Sequence, residues 1–113
     1  MRDPRERLRD ILDAISRIEK YKALGREALE KDELIQVWMV HHLEIIGEAA
    51  ARLGRDFHLK YPEVPWVQIV AMRNILVHEY FGVDLEEIWQ IIIRDLPMLK
   101  ERVERILADL EKN

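Results

Sequence analysis

The stretch from Trp66 to Tyr80, WVQIVAMRNILVHEY, constrains this chain more than any other. Between Trp66 and Val77 nearly every residue is apolar, on all sides of a helix. Such a helix belongs inside a domain rather than on its surface. Pro65 opens it, and proline suits a first helical position because its missing N–H is not needed there. Gln68, Arg73, Asn74 and His78 interrupt the apolar run. At about 100° per residue, Arg73 falls inside the stripe formed by Trp66, Ile69, Val70 and Val77. An arginine cannot shed its charge, so it needs a carboxylate, an anion or a water-filled cleft there. Asn74 and His78 are four apart and therefore neighbours on an adjacent face. His78 precedes Glu79-Tyr80-Phe81-Gly82 and sits where the helix should end, a place that favours the imidazolium.

Three further helices carry the rest, the last of them interrupted by Pro97. Asp3-Pro4-Arg5-Glu6 reads as an N-cap, a first-turn proline and an acid three residues after the cap. Leu8, Ile11, Leu12, Ile15 and Ile18 follow at helical spacing, so a first helix should run to about Tyr21 and stop before Gly25. Arg26 to Lys31 reads as a short turn or helical link. A second helix is expected from about Asp32 to Leu53, with Gly54 as its stop. It is broadly apolar except for one line, His41, Glu44, Glu48 and Arg52. That line is either a solvated face with Glu–Arg pairing at i,i+4, or it turns Glu44 or Glu48 toward Arg73. Gly47 beside it would let another backbone approach closely.

The connector from Arg55 to Val64 is basic and aromatic. It either touches a phosphate or base, or seals the end of the core. After the central helix, Asp84-Leu85-Glu86-Glu87 starts another, with Ile88, Trp89, Ile92, Ile93 and Leu96 on its apolar side. Pro97 should kink it or begin a new helix, which Leu99, Val103, Ile106, Leu107 and Leu110 continue. The chain of 113 residues thus reads as one all-α domain spanning 1–113. Short connectors favour an antiparallel four-helix up-and-down bundle, its last helix kinked or broken near Pro97. The apolar excess on the second and central helices predicts a homodimer.

With no cysteine there is no thiol catalysis or thiolate metal site. No run is long enough to span a bilayer and the charged start is not a signal peptide, so a cytoplasmic protein is expected. The net charge of −4 argues against coating nucleic acid by bulk charge, though not against a few positioned cations. Metal chemistry has little to work with. His41 and His42 are adjacent and point about 100° apart, and His41 with Glu44 and Glu48 is a weak ligand set. Ser16 is the single serine, and there is no glycine-rich phosphate loop. No metal and no cofactor is expected.

Arg73, Asn74, His78 and Tyr80 remain. Metal-free RNA cleavage needs a base for the 2′-hydroxyl, an acid for the leaving 5′-oxygen and a cation for the phosphorus charge. Histidine suits the proton work and arginine the phosphate. Arg73 and His78 lie about 140° apart on an ideal helix. They work together only if the helix unwinds or two chains face their motifs across a dimer axis. Otherwise Arg73 makes a structural salt bridge and His78 donates to a helix-end carbonyl.

Arg73-(four residues)-His78-Glu79-Tyr80 resembles the arginine–histidine–tyrosine motif of HepT-like toxins, a branch of the HEPN superfamily of small helical RNA-binding and RNA-cleaving domains. Ile46-Gly47-Glu48-Ala49, Tyr61-Pro62-Glu63-Val64-Pro65-Trp66 and Asp84 to Pro97 agree with it, so the resemblance covers roughly Leu8 to Leu107. It implies the toxin of a type VII HEPN/MNT toxin–antitoxin pair: a homodimeric, metal-independent endoribonuclease acting on tRNA or mRNA. Arg73 and His78 would be catalytic, with Asn74 and Glu48 in support. Tyr80 matches the tyrosine that an MntA-type nucleotidyltransferase antitoxin modifies with AMP. The alternative is a non-catalytic helical subunit that binds a nucleotidyltransferase.

Overall fold

The computed structural model describes residues 3–78 and 84–112, the side chains of 75, 77 and 78 excepted. No strand occurs among the described residues. The helices are α1 (Pro4–Lys22), α2 (Arg26–Lys31), α3 (Glu33–Leu53), α4 (Arg55–Lys60), α5 (Trp66–His78), α6 (Leu85–Gln90) and α7 (Leu96–Glu111), with a π-helical turn, Ile91–Asp95, between the last two. The long helices form the expected up-and-down bundle. α3 packs on both α1 and α5, and α7 packs on α1.

The caps work as read. The side chains of Asp3, Asp32 and Asp84 accept from the backbone N–H of Arg5, Leu34 and Glu86. Gly54 ends α3 at φ 85°, a conformation glycine adopts without penalty. Leu8, Ile11, Ile15 and Ile18 of α1 interleave with Met39, Leu43 and Ile46 of α3 and with Ile88, Ile92 and Val103, all fully buried. The link Arg26–Lys31 is a true helix, and Arg26 forms an ion pair with Glu86 that ties α2 to α6.

Three details refine or correct the sequence expectation. Pro65 is not the first helical residue: its carbonyl accepts from the Ile69 N–H and the helix begins at Trp66. The last helix is broken near Pro97, as expected, and α7 restarts with Pro97 in its first turn. The irregularity falls in the turn before it, where the Leu96 N–H reaches back to the Ile91 carbonyl, a π-type bond. The wider turn accommodates a residue that lacks an N–H and whose ring crowds the carbonyl four residues back. Third, α5 is not enclosed on all sides. It packs chiefly on α3, while Val67, Gln68, Ala71 and Asn74 are exposed, Val67 by 78%.

The connector seals the core. Trp66 Nε1 donates to the Tyr61 carbonyl at 2.8 Å, and the His58 ring stacks on Trp66 at 5.0 Å. The Nε2 of His58 faces the Ala50 carbonyl at 2.7 Å, so its proton sits there. Both polar edges are taken up by backbone. One face of each of these two rings is spent on the other.

Candidate functional site

Gly47 creates the site. A Cβ at this position would stand 2.2 Å from the Arg73 Cβ and 3.2 Å from its Cα, so only glycine lets α5 cross α3 this closely. The crossing lays the arginine stem over α3 and brings its guanidinium beside the next residue, Glu48. Arg73 Nη1 is 3.4 Å from Glu48 Oε2, while the other carboxylate oxygen accepts from Arg52 Nε at 2.7 Å. The two readings of the α3 polar line are therefore both realised, on the two oxygens of one carboxylate.

Electrostatics follow from that arrangement. The hydrogen bond from Arg52 holds the Glu48 carboxyl below its ordinary range, partial burial opposes this, and the charges of Arg73, Arg52 and Arg7 add to the lowering. Glu48 is thus ionised at neutral pH. Arg73 keeps 28% of its side chain exposed. Its Nε is buried without a hydrogen-bond partner among the described residues. An unmet donor on a permanent cation is a place for an acceptor oxygen, and an anion's best of all.

A groove of about 310 Å³ opens over this pair, lined by Arg7 and Asp10 from α1, His41, Glu44 and Glu48 from α3, and Arg73 from α5. Arg7 and Asp10 were invisible as site residues from sequence, because nothing in the α1 pattern says which of its polar residues lies opposite Glu48. Asn74 is exposed on α5. The backbone of His78 closes α5. The His78 side chain and all of Tyr80 lie outside the described residues. His41 and His42 diverge as expected: His42 is buried with Nδ1 2.7 Å from the Trp38 carbonyl, and His41 is exposed. Among the described residues no group of three histidines or carboxylates is placed to hold a metal ion. No helix there is long and apolar enough to cross a membrane.

A second groove, about 240 Å³ and largely apolar, runs between α5 and α7 past Ile69, Met72, Leu96 and Leu99. Exposed Met98 lines it as well.

A family model described as "Ribonuclease HepT-like" matches residues 11–106. The chain is 41% identical over 108 residues to "Putative RNase TTE0752" of Caldanaerobacter subterraneus subsp. tengcongensis, covering 95% of this chain and 96% of that one. It is 37% identical over 106 residues to "Probable ribonuclease HepT" of Thermococcus cleftensis, covering 93% and 96%. A "Gamma-glutamylcyclotransferase and putative RNase MJ0434" of Methanocaldococcus jannaschii is 38% identical over 107 residues; these are 94% of this chain but 48% of that longer protein. No solved structure matches significantly.

Proposed function

This chain belongs to the HepT-like ribonuclease family, and on that premise we propose that it is a metal-independent endoribonuclease whose active site is completed by a second copy of itself. The observation that carries the reading is the state of Arg73: partly exposed at a groove, one long ion pair to Glu48, and a buried Nε with no acceptor among the described residues. A purely structural arginine would have its donors met.

Arg73 binds the scissile phosphate and offsets the charge that develops on phosphorus. His78 moves the proton, taking it from the 2′-hydroxyl in one copy and returning one to the 5′-oxygen in the other. Asn74 orients His78 or the RNA backbone, and Glu48 holds the arginine in place.

Helical spacing supports the two-chain arrangement. Arg73 faces α3, whereas position 78 falls on the same stripe as Val67, Ala71 and Asn74, all exposed. The apolar groove beside α5, with exposed Met98 in its lining, and the exposed Val67 of α5 give a second copy apolar surface to cover. The test is dilution. Cleavage of labelled RNA per chain should fall in step with the dimer fraction measured by sedimentation. A monomer that cleaves at the full rate, or a dimer that does not cleave at all, overturns the composite enzyme; the second result leaves a binding subunit.

Control by a nucleotidyltransferase antitoxin completes the proposal, with the role of a toxin in a type VII pair. Addition of AMP to Tyr80, seven residues after Arg73 in the chain, adds a phosphodiester that competes for the same cation. Co-purification with the partner and ATP should raise the mass in AMP steps. Tyr80→Phe should keep most of its cleavage activity and escape that control. A Tyr80→Phe protein inactive without any partner would instead put the hydroxyl in the catalytic set.

A further inference from the structure

We propose that Arg7 is a second phosphate-binding cation, and that the groove between α1, α3 and α5 holds the nucleotide next to the cleaved one. The inference rests on the ribonuclease reading of Arg73 and extends it to a helix outside the motif. Arg7 and Arg73 line the same groove from different helices, with Glu48 near both. Glu48 already gives its two oxygens to Arg52 and Arg73. Arg7 affects it through charge alone and takes part in none of the ion pairs among the described residues. In a chain of net charge −4, two guanidiniums line one cleft of about 310 Å³ together with the carboxylates of Asp10, Glu44 and Glu48, and of the two only Arg73 is ion-paired among the described residues.

The mixed lining fits a ribose–phosphate strand better than a plain anion. Guanidinium forks suit phosphate oxygens. The carboxylate of Glu44 in the same groove is an acceptor, and a strand supplies a donor to match it in its 2′-hydroxyls, which DNA lacks. A phosphate seated on Arg73 has a neighbour one nucleotide away. The groove leads from Arg73 past Glu48 to Arg7, so that neighbour is directed toward α1.

Salt dependence reads this directly. Binding of a short single-stranded oligoribonucleotide is measured against salt in the His78→Ala background, so that the RNA stays intact. Each single-strand phosphate contact contributes roughly 0.7 to the slope of log affinity against log salt. Arg7→Gln and Arg7→Ala should weaken binding and flatten the slope by about that amount. Arg7→Lys, which keeps the charge, should restore it. A structural role would lower affinity without moving the slope. If Arg73→Gln flattens the slope and neither neutral Arg7 variant does, the second contact is wrong and the reading of Arg73 stands. If none of them flattens it, Arg73 is not a phosphate ligand either.

Discussion

Gly47→Ala should lower the melting temperature and the rate of RNA cleavage together, although alanine is the better helix former. In an exposed helix the change would stabilise by about 1 kcal/mol. Here the new Cβ would fall 2.2 Å from the Arg73 Cβ, 2.7 Å from its Cγ and 3.2 Å from its Cα. Two of those atoms are fixed to the α5 backbone, so no rotation of the arginine relieves the clash and α5 must move away from α3. Overpacking of this kind costs roughly 1–3 kcal/mol. A 2.2 Å contact places the cost in the upper part of that range, so after the helix gain the net loss should be about 1–2 kcal/mol, a fall of roughly 5–10 °C in Tm. The same displacement moves the guanidinium off its position, and a misplacement of about 1 Å can cost about a hundredfold in rate. Calorimetry and an RNA cleavage assay on the same preparation check both. A Tm equal to or above that of the parent would mean that the two helices are not pressed together at Gly47.

That close approach was legible in the sequence, because a lone glycine in an otherwise strong helix has few other uses. The helices themselves were legible for similar local reasons. Asp3, Asp32 and Asp84 cap where their side chains must, and the apolar spacing of Leu8, Ile11, Ile15 and Ile18 is the buried face of α1. Relations between helices were not. Glu48 was readable as a partner of Arg52 or of Arg73, and only the α3–α5 crossing shows that it serves both. Arg7 stands on the polar side of α1 with no distinguishing neighbour, yet the packing of α1 on α3 brings it into the groove. Apolar composition also overstated how enclosed α5 is. Val67 is as apolar as Val70, but only one of the two faces a helix of the same chain; Val67 remains exposed. Leu34 and Val37 of α3 are exposed in the same way.

His78→Ala is expected to have the largest effect on activity. Loss of a general acid or base costs typically about 10²–10⁴ in rate. If each chain supplies one histidine to a shared site, a single substitution removes both proton-transfer groups at once, which places the loss at the upper end. The fold should survive, since residue 78 closes α5 and the buried contacts of that helix begin with Trp66 and Leu76. Helical content and Tm should therefore stay near those of the parent. A variant that unfolds would make His78 a structural helix stop. Arg73→Ala should also cut cleavage, by removing the charge at the phosphate, and should free Glu48 from one of its two contacts.

The most direct measurement sets the purified parent and His78→Ala side by side on end-labelled RNA in excess EDTA. The parent should cleave and leave 2′,3′-cyclic phosphate ends, because the 2′-oxygen is the nucleophile, and the variant should be silent. A parent that cleaves only when a divalent metal is restored, or a His78→Ala protein that cleaves like the parent, would contradict it.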